Sequence, residues 1–461
     1  MPYKALFVLC CMVLSESFSI TMIFPFLANM VLDFGLTDNL DEVGFYAGWI
    51  ASCFNIAQFS SSFGWGWLSD KVGRKPVLIV GLAGNFLMII LFGFSKDLWY
   101  AILARSLNGF LNGNIGVVKT YLSEITDNTN AHKGFSIFGL CWGTGLIIGP
   151  SIGGFLSKPS EKIPHIFPPG SLLDQFPYLL PCIASATVTL LGLIMGIFFL
   201  QETLHIKKDK EKEEDPLVPK AKPNEIDIEE VEDEIDINNT RAICFSFFTS
   251  REIMITTLLY SLLTFHRMML DEVFAIWAPL KPSEGGISFT SSDIGLIYAV
   301  AGASGLVSQF FIFPYFVDRF GTLTMYRWSS FISFFLNAIL PVVSEIATHG
   351  TWAVWLSISA IFVLFSIINN FLFITVMVLI TNSAPSKLIG SVNGFAQTWA
   401  SALRSIAPTI AGYVLAWSLT NGLSFPLNHY FTFFFIALFS LVTFILTFFL
   451  DKSIDKRKKT K

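Results

Sequence analysis

The sequence predicts an all-α membrane protein with 12 transmembrane helices in two six-helix, pseudo-symmetric halves. Three observations carry that prediction. Of the 461 residues 53% are hydrophobic and only 14% charged, with 48 phenylalanines. A soluble protein of this size needs far more charge to cover its surface. Repeated apolar runs of about 20 residues suit the hydrocarbon thickness of a bilayer. Finally, one long stretch dominated by Lys, Glu, Asp and Pro divides those runs into two sets.

The N-terminal half is expected over residues 1–201. Its first helix runs from about Tyr3 to Asp33. It is too long for a signal-peptide core and lacks a clear cleavage site, so it reads as a retained span. An acidic turn follows (Asp33, Asp38, Asp41, Glu42). Helix two, about Gly44 to Leu68, ends in the tight charged loop Gly66-Trp67-Leu68-Ser69-Asp70-Lys71-Val72-Gly73-Arg74-Lys75-Pro76. Helices three to six are expected over about Pro76–Phe94, Trp99–Ile125, Phe135–Leu156 and Phe176–Leu200. A Pro-rich outer loop (Pro159, Pro164, Pro168, Pro169) precedes the last of them.

Residues 202–247 form the acidic insert, with almost no aromatic residue to Thr240. Such a segment cannot bury enough apolar area to order itself, and it is expected to be a disordered cytoplasmic linker. The C-terminal half, 248–450, offers helices over about Glu252–Leu280, Ser291–Phe316, Thr324–Ser344, Trp352–Thr381, Gly390–Leu419 and His429–Leu450, followed by a basic tail, 451–461. Between its second and third helices stands Asp318-Arg319-Phe320-Gly321, an echo of Asp70-Lys71-Val72-Gly73 that supports an internal repeat.

Charge sets the expected orientation. Lys71, Arg74, Lys75, Lys133, Arg319, Arg327, Lys387 and the tail share one side, while the opposite loops hold only Lys96, Lys158, Lys162 and Lys281. The positive-inside tendency then places both termini in the cytosol. The triplet Asn238-Asn239-Thr240 falls in the linker and is expected to be unglycosylated. The net charge of -4 averages the acidic insert against basic ends. The cysteines Cys10, Cys11, Cys53, Cys141, Cys182 and Cys244 form no CxxC pair and read as free thiols.

Several residues stand out chemically. Gly66 and Gly73 allow close helix approach and a sharp turn. Asp70 is placed to accept hydrogen bonds from a helix N-terminus across the interface between the halves. Arg74 is placed to pair with Asp127 or Glu124, and Lys75 adds to the basic loop, which as a plain positive-inside anchor would have no conformational role. Helix five carries Gly145-x-x-x-Gly149-Pro150-x-x-Gly153-Gly154, a pattern for close helix contact and a bend.

Arg105 in helix four is costly in hydrocarbon, about 2.5–3.5 kcal/mol on insertion scales, and so needs a polar cavity or a partner. Glu16 is a carboxylate in the middle of helix one, where desolvation favours the proton-bound form; it is the first choice for a proton carrier. In helix seven, Arg267 and Asp271 have the spacing of a self-neutralising pair, whereas Glu272 lies on another face. Asp271 and Glu272 are further proton-coupling candidates. The polar residues Asn112, Asn369, Asn393, Gln397 and Arg404 are the substrate-path candidates, against the alternative of interhelical packing.

The loop from Gly66 to Lys75 resembles the cytoplasmic motif joining helices two and three of major facilitator superfamily transporters, and the resemblance extends over essentially the whole chain. It implies the major facilitator fold, alternating access, and a gating role for Gly66, Asp70, Gly73, Arg74, Lys75 and Asp127. The helix-five pattern around Gly149, Pro150 and Gly153 resembles that of the drug:proton antiporter branch, and family position implies a proton-transfer role for Arg105. Four patches resemble the zinc induced facilitator-like group: Ile23-Phe24-Pro25-Phe26, Glu202-Thr203-Leu204-His205, Asp271-Glu272-Val273-Phe274-Ala275-Ile276-Trp277-Ala278, and Asn393-Gly394-x-Ala396-Gln397 with Arg404 and Pro408. The plant members of that group carry a cysteine-rich element before helix one, whereas here the first helix begins within a few residues of Met1.

The expected function is therefore proton-coupled antiport of a small organic molecule out of the cytosol. The rivals are a facilitator or symporter of the same fold and, from another class, a membrane sensor or scaffold. No enzyme activity is expected, since no nucleophile–base or metal constellation appears. No cofactor and no metal site are expected: no GxxxxGK loop and no His/Cys cluster is present. The partners are a small-molecule substrate, protons and the lipid bilayer, with no nucleic acid and a monomeric state. The segment Glu213-Glu214-Asp215-Pro216-Leu217-Val218 loosely resembles an acidic sorting signal, so vacuole, lysosome and plasma membrane all stay open.

Overall fold

The computed structural model describes residues 2–36, 40–126, 130–204, 247–346, 350–385 and 388–455. Residues 205–246, which make up most of the expected linker, lie outside the described residues, as do Asp127, Lys387 and 456–461.

Every regular element among the described residues is helical. The first expected span is two helices, α1 (Tyr3–Thr21) and α2 (Phe24–Asp33). The break falls just before Pro25, whose ring cannot continue the hydrogen-bond ladder. Next come α3 (Leu40–Val72) and α4 (Arg74–Gly93), separated by Gly73 alone. Gly73 has φ 111°, in the left-handed region that favours glycine. The fourth expected span also breaks, into α5 (Leu98–Leu111) and α6 (Asn114–Ile125), leaving Asn112 and Gly113 between them. Then follow α7 (Ala131–Leu156), with Pro150 inside it, and α8 (Leu179–Phe199).

The second part contains α9 (Arg251–Trp277), α10 (Ser291–Phe311), α11 (Phe313–Phe320), α12 (Thr322–Ile339), α13 (Thr351–Ser383), α14 (Ile389–Thr420) and α15 (Tyr430–Leu446). Helices α10 and α11 meet at a 49° bend. Pro314, in the first turn of α11, lacks the N–H that a continuous helix would use there.

Among the described residues 8 helices are long and apolar enough to cross a membrane, or 9 if the bent pair counts as one span. The chain is thus an integral, multi-pass, all-α membrane protein. The expected spans that fall short do so for a physical reason. Helices α5 and α6 are individually short, and α3 and α14 are long but diluted by polar residues such as Gln58, Ser61, Ser62, Asn393, Gln397 and Arg404.

Packing follows the same division. Large apolar side chains such as Phe198, Phe199, Phe311, Trp352 and Leu356 are exposed on the outside. In a bilayer that surface is solvated by lipid tails, so burying it is not what holds the helices together. Polar side chains instead turn inward, and α3 packs on α14, α1 on α7, and α9 on both α14 and α15.

Candidate substrate and coupling site

One end of the bundle is closed by α3 lying against α14. A side chain on Gly66 would overlap the Gly390 carbonyl, so the two backbones touch only because this position is glycine. One turn on, Asp70 caps α14: its Oδ1 accepts the Gly390 N–H at 3.0 Å and its Oδ2 the Ser391 N–H at 2.6 Å. Arg74 lies 2.8 Å from Asp70 and 2.8 Å from Glu124; Arg74 and Asp70 are buried and Glu124 is partly buried. Of the two expected partners for Arg74, Glu124 is the one in contact, and Asp127 lies outside the described residues. The Arg74 and Lys75 backbone N–H groups donate to Glu202 at 2.9 and 3.0 Å. Asp455 repeats that cap in the other half of the chain, accepting the Leu323 N–H at 2.7 Å beside Gly321.

Deeper in the bundle lies a connected polar network. Glu16 on α1 is buried; it interacts with the Asn112 side chain, and its Oε1 has no hydrogen-bond partner among the described residues. Asn112, in the break between α5 and α6, accepts from Gln58 Nε2 at its backbone carbonyl (3.3 Å) and at Oδ1 (3.4 Å). Gln58 Oε1 in turn accepts from Gln397 (3.4 Å), Ser401 (2.7 Å) and Arg404 (3.2 Å) on α14. Gln397 Oε1 accepts from Tyr260 on α9 at 3.0 Å and from Lys119 on α6 at 3.3 Å. Side chains of α3, α6, α9 and α14 are thereby tied to one another by amides and hydroxyls. Among the described residues neither Lys119 nor Arg404 has a carboxylate partner.

Arg404 connects this network to a cavity of about 490 Å³. Its aromatic wall is Trp142, Tyr298, Phe362 and Phe373, and its polar lining includes Asn369, Arg267, Asp271 and Arg404. Arg267 and Asp271 form the ion pair their spacing allows, at 2.9 Å, and Asp271 also accepts from Tyr298 at 3.2 Å. Asn369 donates to the Phe365 carbonyl of its own helix, while its Oδ1 is buried without a partner. The volume is that of a site for a small organic molecule.

The remaining sequence candidates are scattered. Asn393 bonds Thr120 across the contact between α14 and α6, away from the cavity. Glu272 is half-buried, does not line the cavity and forms no ion pair among the described residues. Arg105 is buried with its guanidinium over the Phe54 ring, and no ion pair joins it to Glu16. Side chains on Gly149 and Gly153 would overlap Thr21 and Met22, so the row in helix five brings α7 against α1. Gln58, Lys119, Tyr260 and Ser401 were not among the predicted site residues. Gln58 carried the same signal as the others, an amide inside an apolar helix, whereas Tyr260 is marked only by its position in space.

Relatives align along nearly the whole chain. A major facilitator superfamily multidrug transporter of Aspergillus fumigatus, mfsB, is 30% identical over 92% of this chain and 80% of its own length. Protein zinc induced facilitator 1 of Arabidopsis thaliana is 30% identical over 90% of this chain and 85% of its own. The fold is similar to the crystal structure of the human organic anion transporter TETRAN, with TM-score 0.69 and 15% identity over 97% of this chain and 100% of that one. Residues 9–408 match the Major Facilitator Superfamily, and the chain belongs to that family of membrane transporters rather than to any enzyme class.

Proposed function

We propose that this transporter is a proton-coupled antiporter of the drug:proton branch, with 12 spans in two halves joined by a cytoplasmic linker, moving a small organic molecule out of the cytosol. Glu16 is the observation that supports it best: a buried carboxylate, one oxygen free, linked through Asn112 and Gln58 to Arg404 at the cavity. With Glu16 ionised, the Asn112 amide donates to it and accepts from Gln58, and Gln58 holds Arg404 in place. A proton on Glu16 reverses the demand, since a carboxylic acid also donates. Asn112 then turns its oxygen to Glu16 and its nitrogen to Gln58. Gln58 reverses as well, giving up its bond to the Asn112 backbone carbonyl, and Arg404 loses one of its two acceptors and keeps Ser401. Proton binding and substrate release are coupled in this way.

In this mechanism Asp70, Arg74 and Lys75, together with Gly66 and Gly73, latch the cytoplasmic side in one state. The glycines at 149 and 153 and Pro150 let α7 move against α1. The repeated caps of Glu202 and Asp455 support two equivalent halves. The names of relatives point the same way: one is a multidrug transporter and another, azaK of Aspergillus niger, an efflux pump.

One observation favours symport instead. Lys119 and Arg404 form a positive centre, and a proton on Glu16 would strengthen its hold on a negative substrate.

Purified protein in liposomes carrying a pH-sensitive dye separates the readings. Substrate entry that drives protons outward is the expected result. Protons moving with the substrate establish symport, and uptake without proton movement at any imposed pH gradient leaves a facilitator. One pH unit supplies 1.36 kcal/mol per proton, so even one proton per cycle sustains useful accumulation.

A further inference from the structure

We infer that the substrate is an organic anion, a carboxylate-type head on an apolar or aromatic body, with the head received by Arg404. The inference rests on the transport reading but not on its direction.

The argument is one of charge and shape. Two ionic groups of the cavity, Arg267 and Asp271, neutralise one another at 2.9 Å. Arg404 has no counter-charge among the described residues: its Nη2 bonds the neutral groups Gln58 and Ser401, and its buried Nε has no hydrogen-bond partner among them. Lys119, buried beyond it in the same network, bonds only Tyr260 and Gln397 among the described residues. A cation taken out of water without a counter-charge is unfavourable, and here two share one network. Glu16 at the far end of that network reaches Arg404 only through two amides. The missing counter-charge is supplied when an anion enters the cavity. The planar guanidinium suits a carboxylate, with Nε left free to donate.

The lining supplies the rest. Trp142, Tyr298, Phe362 and Phe373 offer flat apolar faces, and about 490 Å³ exceeds what an inorganic anion needs. Among the described residues a cationic substrate finds no free carboxylate here, because Asp271 is held by Arg267 and Tyr298.

The test uses the full chain in lipid nanodiscs and chloride-free buffer, titrated with phenylbutanoate, phenylbutylamine and phenylbutanol, which share one skeleton. Binding is read from tryptophan fluorescence and from thermal stabilisation. The carboxylate is expected to bind at least about 10-fold tighter than the alcohol, a difference of about 1.4 kcal/mol, with the amine weakest. Arg404→Gln should bring the carboxylate to the affinity of the alcohol, and Arg404→Lys should keep part of the preference. Equal binding of acid and alcohol by the unmodified protein, or preference for the amine, overturns the inference and leaves the transport reading standing. Binding of none of the three also overturns the inference, and leaves the transport reading to the liposome assay.

Discussion

Asp70 on α3 holds the first turn of α14 by receiving the Gly390 N–H at 3.0 Å, with Ser391 beside it at 2.6 Å. A carboxylate there satisfies orphan helix donors and meets the positive end of the helix dipole. Asp70→Asn keeps the shape but loses the charge and one acceptor, so closure should weaken by about 1–2 kcal/mol. A cysteine replacing the buried Ser62, in a background without native cysteines, should then react faster with a water-soluble maleimide. The matching Asp318→Asn is the control, since Asp318 makes no ion pair among the described residues. Equal labelling in the two variants would mean that Asp70 is no latch.

Gly66 tests the same closure by shape alone. A methyl group there overlaps the Gly390 carbonyl, while one on Gly64, two residues earlier, meets nothing within 4 Å. Overpacking of this kind typically costs about 1–3 kcal/mol. Gly66→Ala is expected to open the α3–α14 contact and slow transport, and Gly64→Ala to leave both unchanged. Transport at the unmodified rate in Gly66→Ala would show that the close approach is dispensable.

Glu202 and Asp455 cap α4 and α12 from the chain that follows α8 and α15. Glu202→Ala and Asp455→Ala should each lower stability by about 1–2 kcal/mol, as lost helix caps do. Thermal unfolding in detergent measures this. A clear drop for one and none for the other would count against the proposed equivalence of two halves.

How much of this was legible beforehand depends on what each residue needs. The pair Arg267–Asp271 and the loop around Asp70 were readable because their partners or motifs are local in sequence. The central network was not, because Gln58, Lys119, Tyr260 and Gln397 come from four helices and meet only after packing. The break at Asn112–Gly113 escaped for a related reason: apolar periodicity continues on either side of it. There was nevertheless a trace. Helices α3 and α14, diluted by polar residues, carry Gln58 and Arg404, and the short pair α5 and α6 holds Lys119 on α6 and Asn112 at the break between them. Polarity inside an otherwise apolar helix marks the path through the protein, without saying which polar groups touch.

His429, just before α15, gives a pH prediction away from the membrane-spanning segments. Burial holds its imidazole below the usual range, against the opposing pull of Glu345, and its Nε2 lies 3.3 Å from Ser344 Oγ. The unfolded chain takes up a proton near pH 6.5, before the folded one does. Stability is thus full above about pH 6.5 and falls as pH drops toward the folded value. The melting temperature should decline over that acid range, and His429→Asn should flatten the decline. An identical slope in the variant would assign the effect to other groups.

Glu16 carries the decisive prediction. Glu16→Gln is neutral at every pH and always bears a donor, so it imitates the protonated carboxyl and fixes Asn112 and Gln58 in their reversed setting. Proton movement linked to substrate should be abolished, while exchange that merely equilibrates substrate across the liposome membrane persists. Asn112→Leu severs the same relay one step on, with Glu16 intact, and should uncouple transport without preventing exchange. Both are measured with dye-loaded liposomes and labelled substrate. If Glu16→Gln loses exchange as well as proton coupling, the assignment of Glu16 as the proton carrier is contradicted. If proton movement survives in Glu16→Gln, the proton travels elsewhere, and Asp271 and Glu272 become the residues to replace next.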